Sequence, residues 1–304
     1  MPWSSLPSTV TSWVEAELDG RVIATKAQLN GFSSGSADRI VTDNGRRAFV
    51  KTVARSRNAE TLELHRREAN VMRMLPSEVR APALLGVYDD DEWIALMLDD
   101  IEGAHPHGPH GSDIPAVLDA IADLPEATGP LAALPQLHEE LADDFNAWNR
   151  IDADDVDEAL PPLALTLRDR MMETAVGAAD AVVGDRLVHL DCRADNILID
   201  EAGAAWLIDW PWASIGARWF DGVIYLLDCV MRDEVVDADV YLGHPLFDGL
   251  RSEQVDAVLA ALAGNFYNNA RQPAPPNMPT LRAFQRAEAD AAVTWLARRW
   301  ASHG

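Results

Sequence analysis

The stretch His189-Leu-Asp-Cys-Arg-Ala-Asp-Asn196-Ile-Leu-Ile-Asp-Glu-Ala-Gly-Ala-Ala-Trp-Leu-Ile-Asp209 constrains this chain more than any other. Asp191, Asn196 and Asp209 are separated by five and then thirteen residues, with the apolar runs Ile197 to Ile199 and Trp206 to Ile208 between them. Two short apolar runs joined by Asp200-Glu201-Ala202-Gly203 read as a β-hairpin, since Asp and Gly supply the turn. A hairpin brings its two ends together, so Asn196 and Asp209 are expected side by side, with Asp191 on the loop just upstream.

An amide oxygen beside a carboxylate suits Mg²⁺, a hard ion that takes few protein oxygens and fills its remaining positions with water and substrate phosphates. Asp191 would then lie near the end of a phosphate chain, where a hydroxyl nucleophile must be oriented and relieved of its proton. The pattern His189-x-Asp191-x-x-x-x-Asn196 followed by Asp209 resembles the catalytic loop and metal aspartate of the kinase superfamily. It most resembles the aminoglycoside phosphotransferase family of small-molecule kinases. That resemblance implies Asp191 as catalytic base and Asn196 and Asp209 as Mg²⁺ ligands. It also implies Asp221, twelve residues past Asp209, as a brace of the catalytic loop, with His189 as its other support. There are departures. Leu190 stands where the family usually has glycine, Trp210-Pro211 replaces the Phe-Gly of protein kinases, and no Ala-Pro-Glu segment follows. These count against a protein kinase and leave the base and metal positions untouched.

Upstream, Ser8 to Leu18 has the spacing of an amphipathic helix with Ser8 available as its cap, and Arg21 to Leu29 reads as a strand. The small-residue turn Asn30-Gly-Phe-Ser33-Ser34-Gly35-Ser36-Ala-Asp38 follows, then the hairpin turn Asp43-Asn44-Gly45 and a strand from Arg47 to Val53. Small residues let backbone N–H groups approach phosphates closely, so Ser33, Ser34, Gly35 and Ser36 are expected at a nucleotide. Lys51 on the returning strand matches the phosphate-binding lysine of the superfamily. Asn58 can cap a helix running to about Leu75, on which Leu64, Glu68, Val71 and Leu75 fall on one stripe. Glu68 is its polar member, and a carboxylate in an apolar stripe is costly unless paired. A lysine on the neighbouring strand is the natural partner, and the resemblance implies the same Lys51 to Glu68 pair.

Leu84 to Tyr88 and Trp93 to Leu98 read as strands joined by Asp89-Asp90-Asp91-Glu92. The resemblance makes residues 98–103 a hinge whose backbone binds adenine, with Asp99 and Ile101 at the contact positions. His105-Pro-His107-Gly-Pro-His110 lacks a convincing fourth metal ligand and reads as a loop. From Ser112 to Gly184 the chain is Ala- and Leu-rich and expected to be mainly helical, with the acidic run Asp152 to Glu158 as a solvated helix start. Helices are expected over Ser252 to Asn268 and Thr280 to Trp300, the second with a stripe of Phe284, Ala287, Ala291 and Trp295. The resemblance makes these helices a wall of the acceptor site, with Trp212, Asp228 and Trp300 among the residues considered for substrate contact.

Strands first and helices after give an α+β chain: a bilobal protein-kinase-like fold, with an antiparallel sheet and one main helix over 1–102 and a mostly helical lobe over 103–304. A net charge of −24 speaks against nucleic acid and anionic membranes as partners. The amino terminus lacks basic and apolar segments, no apolar run approaches the ~18 residues of a spanning helix, and the two cysteines show no disulfide or metal spacing, so a cytoplasmic protein is expected. ATP and Mg²⁺ are the expected cofactors and a small-molecule hydroxyl the acceptor. That acceptor is an antibiotic such as an aminoglycoside, or a metabolite such as choline, homoserine or a sugar. A nucleotide-binding pseudokinase is the alternative from another class. Oligomeric state is not legible.

Overall fold

In a computed structural model the structure describes residues 1–28, 35–106, 113–151, 160–233, 235–275 and 278–302. Ser33 and Ser34 of the small-residue turn, His107 and His110, and the acidic run 152–158 lie outside the described residues. The chain divides into two compact units, Met1–His105 with Asp195–Trp212, and Pro106–Ala194 with Ala213–Gly304.

The first unit holds five antiparallel strands, β1 (Val22–Ala27), β2 (Ser36–Thr42), β3 (Arg47–Ala54), β4 (Leu84–Asp89) and β5 (Trp93–Leu98), in the order β1-β2-β3-β5-β4. Successive side chains of β3 point to opposite faces, and each face finds its own helix. On one side α1 (Ser8–Glu17) packs Val10 and Val14 against Ile40, Ala48, Val50, Ala95 and Met97. On the other, α2 (Ala59–Met74) packs Leu62 and Ala69 against Val53, Ile94 and Leu96. Lys51 pairs with Leu96 in register and so shares the α2 face. Asn58 caps α2 by accepting from the Thr61 N–H at 2.9 Å. Ser8 is not a cap: the residue preceding α1 is Pro7, and Ser8 is already helical.

The buried face of α2 is broader than the expected stripe and shifted from its ends. Glu68 and Val71 of that stripe are buried together with Leu62, His65, Ala69 and Met72, whereas Leu64 and Leu75 lie half-buried at the rim. The first unit also extends past the expected 1–102 boundary. Segment Asp195–Trp212 folds as a hairpin of Ile197–Ile199 and Ala205–Leu207 and packs with it. Ala104 and Ile199 exchange backbone hydrogen bonds at 3.0 and 2.8 Å, and the Leu207 N–H donates to the Arg80 carbonyl at 2.9 Å. Gly103 is required beside this seam, because a Cβ there would meet the Ile199 carbonyl oxygen at 2.7 Å.

The second unit is helical, with helices Ile114–Ala122, Pro162–Ala175, Phe220–Arg232, Ser252–Ala270 and Leu281–Ser302 and the small ladder Arg186–Val188 with Ser214–Gly216. Between Asp123 and Ile151 the expected regular helix is replaced by short turns such as Gly129–Ala133 and Leu137–Glu140. Pro125, Pro130 and Pro135 fall every five residues there and remove the N–H groups a continuous helix needs. The last helix also departs from its expected stripe: Ala287 is exposed, and from Ala289 onward the helix is buried on several sides. Its Arg299 is inside, held by Asp256 at 2.6 Å, by Asp239 and by the Ser252 hydroxyl at 2.7 Å. Among the described residues, no helix is long and apolar enough to cross a membrane.

Candidate active site

Within the first unit, β3, α2 and the hairpin converge on one ammonium group. Lys51 Nζ donates to both Glu68 oxygens at 2.8 and 2.9 Å and to Asp209 Oδ1 at 2.7 Å. Glu68 is 1% exposed and also accepts from the Trp210 backbone N–H. Burial opposes the charge on Lys51, but the Asp209 and Glu68 carboxylates outweigh it and hold the lysine above its ordinary pKa. His65, one turn before Glu68 on α2, is the buried neighbour that sequence reasoning missed. Burial first, and the Lys51 ammonium second, push its imidazole down to about 3.

The hairpin places the two expected metal ligands. Asn196 ends the turn Ala194–Asn196 just before the first strand, and its carbonyl accepts the Ile208 N–H at 2.9 Å, directly before Asp209. The far end is closed by Asp200, whose Oδ1 accepts the Ala202 and Ala204 N–H groups, each at 2.9 Å, while Oδ2 accepts the Trp206 indole at 2.9 Å. Asp209 sits at φ +68°, in the left-handed region where Asp is tolerated better than most residues. Lys51, Glu68 and Asp209 together carry one net negative charge. Among the described residues, no group of three or more His, Cys, Asp or Glu is arranged to hold a metal ion. The donor set expected here is one amide and one carboxylate, with the rest left to water and phosphate. That donor set fits Mg²⁺ and not Zn²⁺.

Two further expected nucleotide positions, Gly35 and Ser36, fall where the chain enters β2 of the same sheet. A Cβ on Gly35 would meet the Thr52 carbonyl oxygen at 2.0 Å, so the chain there must be glycine to lie against β3 one residue from Lys51. Ser36 is already the first residue of β2, with its hydroxyl 2.7 Å from that of Thr52. After β5, the Asp99 N–H donates to the Ala83 carbonyl at 2.9 Å, and the Ile101 carbonyl accepts from Arg39 at 2.8 Å. Asp100 between them is clamped by Arg39 and Arg47. Trp212 carries Arg67 over its ring at 5.3 Å.

Within the second unit, Asp221 at the start of helix Phe220–Arg232 accepts the His189 N–H at 2.6 Å and the Leu190 N–H at 2.9 Å. Burial pushes its carboxyl up, against the pull of His189 and of those two donors. Leu190 has φ +71°, so the departure from glycine puts a side chain in the left-handed region. Asp191 follows directly and is ion-paired with Arg193, whose guanidinium lies 5.2 Å from the Phe284 ring centroid. Asp228 and Trp300 are committed internally. Asp228 accepts from the Ala194 N–H and from Arg232, both at 3.0 Å, and the Trp300 indole donates to Asp256 at 2.8 Å.

A sequence profile of the APH phosphotransferase enzyme family matches residues 28–254. No curated protein matches the chain at the level of sequence. Among solved structures, an aminoglycoside phosphotransferase from Alicyclobacillus acidocaldarius superposes with a TM-score of 0.57 at 15% identity, over 95% of each chain. The choline kinase LicA from Streptococcus pneumoniae gives 0.58 at 12% identity, over 97% of this chain and 98% of that one. A macrolide 2'-phosphotransferase of type I gives 0.55 at 18% identity, over 96% and 98%. At these identities the likeness is one of fold, the protein-kinase-like fold shared by small-molecule kinases.

Proposed function

The chain belongs to the APH phosphotransferase enzyme family, and we propose that it transfers the γ-phosphoryl group of MgATP to a hydroxyl of a small molecule. The observation that carries this reading is the Lys51 ammonium held at once by Glu68 and Asp209. A buried cation fixed by one carboxylate of its own and aligned with a second on the metal hairpin is arranged for a polyphosphate.

In this reading Lys51 contacts the α- and β-phosphates, kept in place by Glu68. Asn196 and Asp209 hold Mg²⁺, which when bound neutralises the charge of the phosphate oxygens. Gly35 and Ser36, with Ser33 and Ser34, bring backbone N–H groups to the phosphates. The backbone of Asp99 and Ile101 meets the adenine. Asp191 orients the acceptor hydroxyl and accepts its proton as the oxygen attacks. His189 and Asp221 position Asp191 by fixing the backbone immediately before it. Most of the rate acceleration then comes from positioning and electrostatics. The cytoplasm, where ATP is available, is the location this reading expects.

Calorimetric titration of ATP with and without Mg²⁺ tests the nucleotide half of this reading. Lys51→Ala should weaken MgATP binding by roughly 10- to 100-fold, the worth of one charge-assisted contact. Unaltered affinity would remove Lys51 from the phosphates.

A further inference from the structure

The segment that leaves β5 is held by two arginines of its own sheet. In register, Arg39 of β2 stands opposite Phe49 of β3, and Phe49 opposite Leu98, the last residue of β5. Directly opposed residues of antiparallel strands share a face, and Lys51, two positions on from Phe49, shares it too. Arg39 therefore lies on the Lys51 face, at the level where the hinge segment begins. Its guanidinium donates through Nη2 to the Ile101 carbonyl at 2.8 Å and through Nε to Asp100 Oδ1. The other Asp100 oxygen accepts from Arg47 Nε and Nη2 at 3.0 and 2.7 Å, and Arg47 is paired in turn with Glu102. The Asp100 side chain is 3% exposed. Swinging Arg39 away would strip this buried carboxylate of a charged donor, so the guanidinium is anchored against the Ile101 carbonyl.

Resting on the nucleotide reading above, in which the backbone of Asp99 and Ile101 meets the base, we propose that Arg39 selects adenine over guanine by occupying the Ile101 carbonyl. Adenine offers an amino donor at N6 beside an acceptor at N1, which match the Asp99 carbonyl and the Ile101 N–H. Guanine offers an acceptor at O6 followed by two donors, N1–H and the 2-amino group. With its phosphates held at Lys51 and its ribose on the same side, guanine fits the hinge one position further along. Its O6 then takes the Ile101 N–H, and its two donors need the Ile101 carbonyl. That carbonyl already accepts from Arg39. A guanidinium has donors and no acceptor, so guanine would face a cation and leave a donor unpaired on binding. Adenine presents only its C2–H there and loses nothing. Selection comes from a misfit built against the competing base, and Arg39 is a specificity residue that takes no part in phosphoryl transfer.

The test is calorimetric titration of the full chain with the Mg²⁺ complexes of ADP, GDP and IDP. The inosine base keeps O6 and N1–H and lacks the 2-amino group, so it isolates the demand of N1–H for the Ile101 carbonyl. The parent should bind ADP more tightly than GDP and IDP by roughly 10- to 100-fold. Arg39→Met removes the donors and the charge. Arg39→Lys keeps a cation for Asp100 and gives up the planar fork that serves two partners at once. Both should lower the preference for ADP by about 10-fold, chiefly through tighter binding of GDP and IDP. Arg47→Met removes the other partner of Asp100 and leaves the bond from Arg39 to Ile101, so its preference should stay within about twofold of the parent. GDP or IDP bound by the parent as tightly as ADP overturns the proposal. So does a preference unmoved in both Arg39 variants, or one that falls equally in Arg47→Met. The two levels separate through Lys51. If nucleotides bind in a Lys51-dependent way without base preference, only the role of Arg39 falls; if no nucleotide binds, the nucleotide reading falls and the proposal with it.

Discussion

Lys51 and Asp209 lie 158 residues apart in sequence and 2.7 Å apart in space, and the same ammonium also holds Glu68. One cation therefore ties a strand, a helix and the hairpin that ends at Asp209. Removing it leaves Glu68, which is 1% exposed, as a buried charge without its main partner. Lys51→Met should cost about 3–5 kcal/mol of stability, as breaking a buried pair does. The double variant Lys51→Met/Glu68→Leu, which removes both charges, should recover most of that loss without recovering activity. Denaturant unfolding of the two variants decides it; a double variant as unstable as the single one would show that the pair is not what the fold depends on.

His65 makes stability depend on pH in a predictable direction. Among the described residues its Nε2 meets no hydrogen-bond partner, and its pKa is pushed down to about 3, chiefly by burial. In the unfolded chain the imidazole titrates near its ordinary value of ~6.5. Between those values the unfolded state takes up a proton that the folded state refuses, so stability falls as pH drops through the window from about 6.5 towards 3. The expected slope from this group is at most ~1.4 kcal/mol per pH unit. His65→Gln should flatten that slope in unfolding measurements, and a slope identical to that of the parent would refute the assignment.

How much of this was legible depends on whether the signal was local. The hairpin was readable because two apolar runs flank an Asp and Gly turn, and the α2 start because Asn58 precedes a helical pattern. The pairing of Lys51 with Glu68 followed from one polar residue in an apolar stripe. His65 was not legible, since the expected stripe ran through Leu64 and Leu75 and a histidine beside it looked like rim. The bond from Lys51 to Asp209 left no trace either, because hydrophobic periodicity carries no information about which end of a distant hairpin meets a strand. The internal commitment of Asp228 and Trp300 is tertiary in the same sense. Their residue types fit a substrate wall, and nothing in the sequence announces the partners Ala194, Arg232 and Asp256 that hold them in the structure.

The backbone before Asp191 gives a third prediction. Leu190 at φ +71° carries about 1–2 kcal/mol of strain that glycine would not. Glycine also gives up the half-buried leucine side chain and adds freedom to the unfolded chain, about 0.5–1 kcal/mol. Leu190→Gly should therefore change stability by less than about 1 kcal/mol. Asp221→Ala leaves two N–H groups without their acceptor and should cost about 2–5 kcal/mol. Thermal unfolding in which Leu190→Gly is the more damaging of the two would contradict this account of the loop.

Asn196 and Asp209 should govern the Mg²⁺ requirement. Chelation of the ion should abolish ADP release, and Asn196→Ala should raise the half-saturating Mg²⁺ concentration by about 10-fold or more. An unchanged Mg²⁺ dependence in Asn196→Ala would take that residue out of the metal site.

The measurement that bears most directly on the central claim is ADP release from MgATP by Asp191→Ala beside the parent chain, with the best acceptor found. Loss of the base should lower kcat by roughly 10²- to 10⁴-fold while MgATP affinity and thermal stability stay within twofold and about 1 kcal/mol of the parent. Turnover that survives the substitution unchanged would contradict phosphoryl transfer at this site.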